Sequence, residues 1–166
     1  MKVFKNSKVF LITGSAGFVG FHIAKRLLEL GFHVHGVDLM TASYYDPILK
    51  TARLDVLNKL PGYSHHKIDL ADTNAVQSLK ESIGNIDIII HLAAQACVLR
   101  SFEFPHEYVR DNIVGFQNML ELYSHNNTSI FIYASSSSVY GLNKDLPFST
   151  KDNVDHPISL YAASKK

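Results

Sequence analysis

Tyr161 and Lys165 stand four residues apart, so on a helix they share one face. A free tyrosine ionises only near pH ~10. An ammonium beside it favours the phenolate, which can then take a proton from a hydroxyl near neutral pH. Upstream, "YASSSSVYG" offers Ser135 to Ser138. A hydroxyl from that run can hold the substrate oxygen while the proton moves. A lone Tyr-x-x-x-Lys arises often by chance, so the pair gains its weight from what precedes it.

What precedes it is a glycine loop. "TGSAGFVG" places Gly14, Gly17 and Gly20 three apart, directly after an apolar run and at the start of a helical pattern. Glycines there allow a tight turn and close approach of backbone to a pyrophosphate, and the helix start supplies free N–H groups. The next apolar run ends at Asp38, 18 residues past Gly20. A carboxylate at that place accepts hydrogen bonds from an adenosine ribose and repels a 2′-phosphate, which favours NAD over NADP. Asp69 and Leu70 close a third apolar run, where an adenine ring would lie, though a bare Asp at a strand end is equally a turn former.

These residues need elements to hold them. "KVFLITG", "FHVHGVD", "YSHHKIDL", "IDIIIHLAA" and "SIFIYASS" read as five strands. Helices are predicted from about Phe18 to Leu30, from Pro47 to Leu60, after Asp72 or Thr73 up to Gly84, from about Pro105 to His125, and from near Ile158. Strict alternation of strand and helix predicts an α/β fold, a doubly wound (Rossmann-like) parallel sheet with helices on both faces. Ligands bind at the carboxyl edge of such a sheet, where the glycine loop and the serine run both fall.

The 166 residues suffice for one domain. Hydrophobic content of 46% and charged content of 19% are those of a folded globular protein. Sixteen basic residues against 15 acidic give a net charge of +1, without the concentrated basic face of a nucleic-acid binder. The opening "MKVFKNSKVFLITG" does not read as a signal peptide. The apolar runs are strand-sized, short of the roughly 20 residues that span a bilayer. One cysteine, Cys97, excludes an internal disulfide and fits the reducing cytoplasm. The nine histidines include His33, His35, His65 and His66 on strands, but without the spacing of a zinc site. No metal is expected.

Taken together, "TGSAGFVGFHIAKRLLE", "YYDPILKTARL", "HLAAQA" with "YVRDNIVGFQNMLE", and "YASSSSVYGLNKDLPFSTKDNVDHPISLYAASKK" resemble the NAD-dependent nucleotide-sugar epimerases of the extended short-chain dehydrogenase/reductase family. The resemblance covers the chain from about Lys8. It implies that Gly14, Gly17 and Gly20, with Phe18 and Val19, surround the pyrophosphate. It implies that Asp38 binds the ribose, that Asp69 and Leu70 flank adenine, and that Leu92, Ala93, Ala94 and Gln95 line the cofactor. Asn112 supports the active site and Ser135 contacts the cofactor. Ser136 is the implied catalytic hydroxyl, with Ser138 a neighbouring substrate contact. Tyr161 is the implied base, and Lys165 orients the nicotinamide ribose and tunes Tyr161. The implied reaction is epimerisation at C4 of a UDP-hexuronic acid (UDP-glucuronate to UDP-galacturonate) through a 4-keto sugar. UDP-glucose/UDP-galactose is the alternative pair. Related dehydratases carry an Asp-Glu pair after the catalytic hydroxyl; Ser137 and Ser138 stand there instead, so dehydration is not expected.

Departures from the family pattern are also legible. Leu39 follows Asp38 where the family has asparagine, and the loop to Tyr44 is one residue longer. "QACVLR" has Cys97 for glycine and Leu99 for arginine, so a loop or substrate contact is expected to be lost, with Arg100 pointing elsewhere. Enzymes of this family continue past the Tyr161 helix into a sixth strand and a smaller domain that grips the uridine nucleotide. Residues 1–166 are therefore expected to form an incomplete NAD-binding domain with little turnover of its own, or a binding module that holds NAD without turnover. The full-length form is expected to be a homodimer acting on a UDP-sugar.

Overall fold

The five strands are β1 (Val9–Thr13), β2 (His33–Val37), β3 (Tyr63–His66), β4 (Ile88–His91) and β5 (Ile130–Tyr133). β-branched and aromatic residues, which fit a pleated and half-buried surface, dominate β1, β4 and β5, while β2 and β3 are rich in histidine. The computed structural model describes residues 8–41, 46–126 and 128–166. The readings placed on the opening stretch and on the loop to Tyr44 lie outside those residues. All neighbouring strands are parallel, in the order β3-β2-β1-β4-β5. The chain thus winds from β1 outward through β2 to β3, then returns to the other side of β1 with β4. The reversal opens a crevice beyond the carboxyl ends of β1 and β4, the place where doubly wound sheets bind ligands.

Helices α1 (Phe18–Glu29) and α2 (Pro47–Leu57) cover one face of the sheet. Ala24, Leu28 and Leu57 pack there on Phe10, Ile12 and Val34. Helices α3 (Thr73–Ile83) and α6 (Gly115–Ser124) cover the other, with Val76, Leu79, Met119 and Leu122 on Leu11, Val37 and Ile89. Alternate residues of β1 therefore feed opposite cores, as the two-residue period of a strand demands. The caps follow the sequence signals. Pro47 opens α2 behind Asp46, whose Oδ1 accepts from Ile48 N at 2.8 Å. Asp72 caps α3 through Asn74 N and Ala75 N.

Five elements differ from the sequence reading. Strand β3 stops at His66, so Asp69 and Leu70 lie in a turn beyond it, where Asp69 Oδ1 accepts from Ala71 N at 2.9 Å. Helix α2 ends at Leu57 rather than Leu60. Leu60 precedes Pro61, which disfavours helical backbone, and Lys59 and Leu60 close tighter turns onto Val56 and Leu57. The predicted Pro105–His125 helix is helical to Ser124 but not uniform. It runs as α5 (Pro105–Tyr108), a wider π-type segment (Val109–Val114) and α6. The last helix, α7 (Leu160–Lys165), starts two residues later than Ile158, capped by Ser159 Oγ, which accepts from Ala162 N at 3.0 Å. A short helix α4 (Arg100–Glu103) is present that the sequence pattern did not show.

Candidate functional site

The carboxyl edge holds a cavity of about 360 Å³. Its floor is the glycine loop. Gly14 sits at φ +69°, and a Cβ on it would come within 2.9 Å of Ala93 N. A Cβ on Gly20 would lie 2.2 Å from Gly14 O, so α1 can pack this close to the loop only without a side chain there. Gly17 N donates to Gly14 O at 2.9 Å, and no side chain caps α1. The first turn of α1 thus keeps amide N–H groups for a ligand. Arg53 of α2 braces the loop, donating to Ala16 O at 3.2 Å.

Of the residues singled out from the sequence, Gly14, Gly17, Phe18, Val19, Gly20, Asp38, Asp69, Leu70, Leu92, Ala93, Ala94 and Gln95 all line this one cavity. Asn112, Ser135, Ser136, Ser138, Tyr161 and Lys165 do not. They form a second cluster where α7 packs on the serine turn, α5 and the π-type segment.

Asp38 is only 6% exposed, and its carboxylate is heavily engaged. Oδ1 accepts from Met40 N at 2.9 Å and from Lys50 Nζ at 2.8 Å, while Oδ2 accepts from Ala16 N at 3.2 Å. A carboxylate offers about four acceptor positions, so about one remains for a ribose hydroxyl. Lys50 was not foreseen as part of the site. Its only trace in sequence is a basic residue on the first turn of the helix that follows Asp38.

Behind the Leu92–Gln95 wall stands a buried pair, Thr13 and His91. Thr13 Oγ1 accepts from Leu92 N and Ala93 N, both at 3.1 Å. With its acceptor positions filled, the hydroxyl donates its own proton to His91 Nδ1 at 2.9 Å. His91 therefore carries its hydrogen on Nε2. Burial, with a smaller push from the Lys165 charge, lowers its pKa to about 4.

Asn112 ties the two clusters together. Its Oδ1 accepts from Gln95 N at 2.7 Å, and its Nδ2 donates to Gln95 O at 3.0 Å and to Ser164 Oγ at 2.9 Å. Ser164 Oγ in turn donates to Tyr161 O at 2.8 Å. Asn112 lies in the π-type segment, a device that often marks functional positions in helices. The serine run is a structured turn. Ser136 Oγ accepts from Ser138 N at 3.2 Å and starts a single tight turn over Ser137–Tyr140. Ser135 Oγ donates to Lys165 O at 2.8 Å, fastening the run to α7. Tyr161 is buried, with the Tyr108 ring edge-on to its own at 6.3 Å between centroids. Tyr108 OH donates to Cys97 O at 2.5 Å, so the departing "QACVLR" loop is anchored beside Tyr161. Arg100 turns away to Glu107 at 3.0 Å and lies over the Phe104 ring, while Leu99 is exposed. Burial lowers the pKa of Lys165 from the ordinary lysine value.

The arrangement has a cavity for an extended, phosphate-bearing ligand and, next to it, a buried tyrosine and a partly buried lysine on one helix face, with serine hydroxyls in the adjoining turn. Known proteins are similar to this chain over most of its length. Protein CapI of Staphylococcus aureus is 47% identical over 156 residues, 94% of this chain and 46% of that protein. UDP-glucuronate 4-epimerase 4 of Arabidopsis thaliana is 46% identical over 164 residues, 97% of this chain and 36% of that protein. The crystal structure of UDP-glucuronic acid 4-epimerase from Bacillus cereus, in complex with UDP-glucuronic acid and NAD, superposes with a TM-score of 0.82 at 32% identity, over 95% of this chain and 48% of that one. The chain thus spans between about a third and a half of the length of these relatives. The family model described as GDP-mannose 4,6 dehydratase matches residues 11–166, and this chain belongs to that family of nucleotide-sugar enzymes.

Proposed function

We propose that this chain is the NAD-binding part of a nucleotide-sugar 4-epimerase whose substrate is a UDP-hexuronic acid, UDP-glucuronate and UDP-galacturonate. The observation that carries the reading is the shared cavity: a glycine floor, Asp38 at one end and the Leu92–Gln95 wall at the other. The residues fit a dinucleotide. Gly14 and Gly20 leave the space of two side chains, α1 presents uncapped amides for the pyrophosphate, and Asp38 keeps an acceptor position for the ribose. NAD, when bound, supplies the hydride acceptor and donor at the sugar C4. Tyr161 takes the proton of the sugar hydroxyl and later returns it. Lys165, on the same helix face, favours the phenolate by its charge. Ser136 and Ser138 hold the substrate oxygen, and Asn112 fixes α7 against the cofactor wall.

Relatives that are UDP-glucuronate 4-epimerases at 46% identity, and a neighbour crystallised with UDP-glucuronic acid and NAD, support this substrate. Ser137 and Ser138 offer no carboxylate for eliminating water, so epimerisation suits the site better than dehydration. The uridine nucleotide is gripped by residues outside 1–166, and the chain alone turns over little. The whole protein pairs with a second copy through the outward side of the Pro105–Ser124 helix, where Val109, Ile113 and Val114 are exposed. It works in the cytoplasm, which suits its lone Cys97.

Calorimetric titration of the chain with NAD⁺ and with NADP⁺ tests the cofactor reading. NAD⁺ is expected to bind in preference. Asp38→Asn should weaken NAD⁺ binding by about 10-fold, the worth of a charge-assisted hydrogen bond, and narrow the gap to NADP⁺. Equal binding of the two cofactors by the unsubstituted chain would remove Asp38 from this role.

A further inference from the structure

The cavity presents an electrostatic difficulty for the ligand proposed above, and this inference rests on that reading. A dinucleotide carries two phosphate charges, yet three carboxylates line the cavity, those of Asp38, Asp69 and Asp111, against one lining cation, Lys50. Lys50 answers Asp38. Asp69 and Asp111 come from different elements, the turn after β3 and the π-type segment, and both remain beside the ligand space. Arg110, half exposed and outside the cavity lining, bonds to both: its Nη2 to Asp69 Oδ2 and its Nη1 to Asp111 Oδ1. The second oxygen of each carboxylate is held by the wall itself. Asp69 Oδ1 accepts from Ala71 N at 2.9 Å, and Asp111 Oδ2 accepts from Gln95 Nε2 at 2.8 Å. Neither carboxylate can swing out to solvent without breaking the lip it helps to build.

We propose that Arg110 is the positioning and charge-compensating residue of the cofactor site: it cancels the Asp69 and Asp111 charges so that these carboxylates can shape the cavity without repelling a dinucleotide pyrophosphate. Its action is by charge, at a distance from the ligand. It should therefore be felt by anionic ligands, fade with salt, and survive replacement by lysine. A purely structural strap would show none of the three.

The test compares the chain with its Arg110→Gln and Arg110→Lys variants. NAD⁺ is titrated by calorimetry at about 0.02 M and about 1 M salt, where the screening length falls from roughly 20 Å to roughly 3 Å. Adenosine, which carries no phosphate, is titrated by NMR. Arg110→Gln is expected to weaken NAD⁺ binding by about 3- to 10-fold at low salt and by less than about 2-fold at high salt, as for an uncompensated charge near the surface. Arg110→Lys, which keeps the charge but not the two-armed fork, is expected to lose less than half of what Arg110→Gln loses, and adenosine binding to change by less than about 2-fold in either variant. If lysine behaves like glutamine, if adenosine and NAD⁺ weaken in step, if the loss persists at high salt, or if Arg110→Gln changes nothing, the proposal is overturned while the cofactor reading stands. If the unsubstituted chain binds neither NAD⁺ nor adenosine, the cofactor reading fails first and takes the proposal with it.

Discussion

Met40 is the residue at which this chain departs from the easy path. It holds φ at +59°, in the left-handed region that side chains other than Asn, Asp and Gly enter at a cost of roughly 1–2 kcal/mol. What keeps it there is Asp38, whose Oδ1 accepts the Met40 N–H. The carboxylate proposed to bind the ribose thus also shapes its own loop. Asparagine tolerates this backbone and keeps the N–H. Met40→Asn is expected to raise unfolding free energy by about 0.5–1 kcal/mol in urea titrations, less whatever the half-buried Met side chain contributes. A loss of stability would show that side-chain packing outweighs the strain. Sequence reading found Asp38 through its spacing from the glycines. It could not find that Lys50 shares the same oxygen, because that contact depends on how α2 docks.

At the level of elements, β4 and the wall that follows it depend on the neutral form of His91. An unfolded histidine binds a proton near pH ~6.5, whereas the buried ring resists it down to about pH 4. Between these values the unfolded state holds more protons, so stability falls as the pH falls and is regained above pH ~6.5. The span corresponds to at most about 3 kcal/mol. His35, His65 and His66 are also lowered by burial and add to the slope. Asparagine in place of His91 keeps an acceptor for Thr13 and does not titrate. His91→Asn is expected to cost stability at pH 7 yet flatten its decline between pH 6.5 and 4, as read from urea midpoints at several pH values. An unchanged slope would assign the effect to the strand histidines instead. The strongly patterned elements were legible in sequence, with Pro47 opening α2 and Asp72 and Gly84 bounding α3. The π-type segment was not, because Val109–Val114 carries the same apolar spacing as a regular helix. Only its contacts, Asn112 to Gln95 and Ser164, set the wider turn.

The whole molecule presents an apolar sheet border. β5 lies at the sheet edge and leaves Ile130, Ile132 and Tyr133 exposed at 45–50%. Unpaired strand edges with apolar side chains invite pairing with another chain. The purified chain is expected to self-associate with rising concentration in light-scattering or sedimentation runs, and Ile132→Lys should shift it toward monomer. A clean monomer at high concentration would show that the border is harmless. At the other border, His66 of β3 is hydrogen-bonded to His35 of β2 at 3.0 Å, so the two edges differ in chemistry as well as in exposure.

Local pattern determined the alternation of strands and helices behind the doubly wound sheet, the glycine loop, the place of Asp38 and the spacing of Tyr161 and Lys165. Strand and helix periods, turn glycines and i,i+4 spacing act over a few residues and are written directly in the chain. Only the tertiary structure decided the charge balance of the site. Lys50 meets Asp38 across 12 positions, Arg110 meets Asp69 across 41, and Asn112 reaches Ser164 across 52. Such contacts arise when separate helices dock on one sheet edge, and side-chain charge over that distance leaves no period to read.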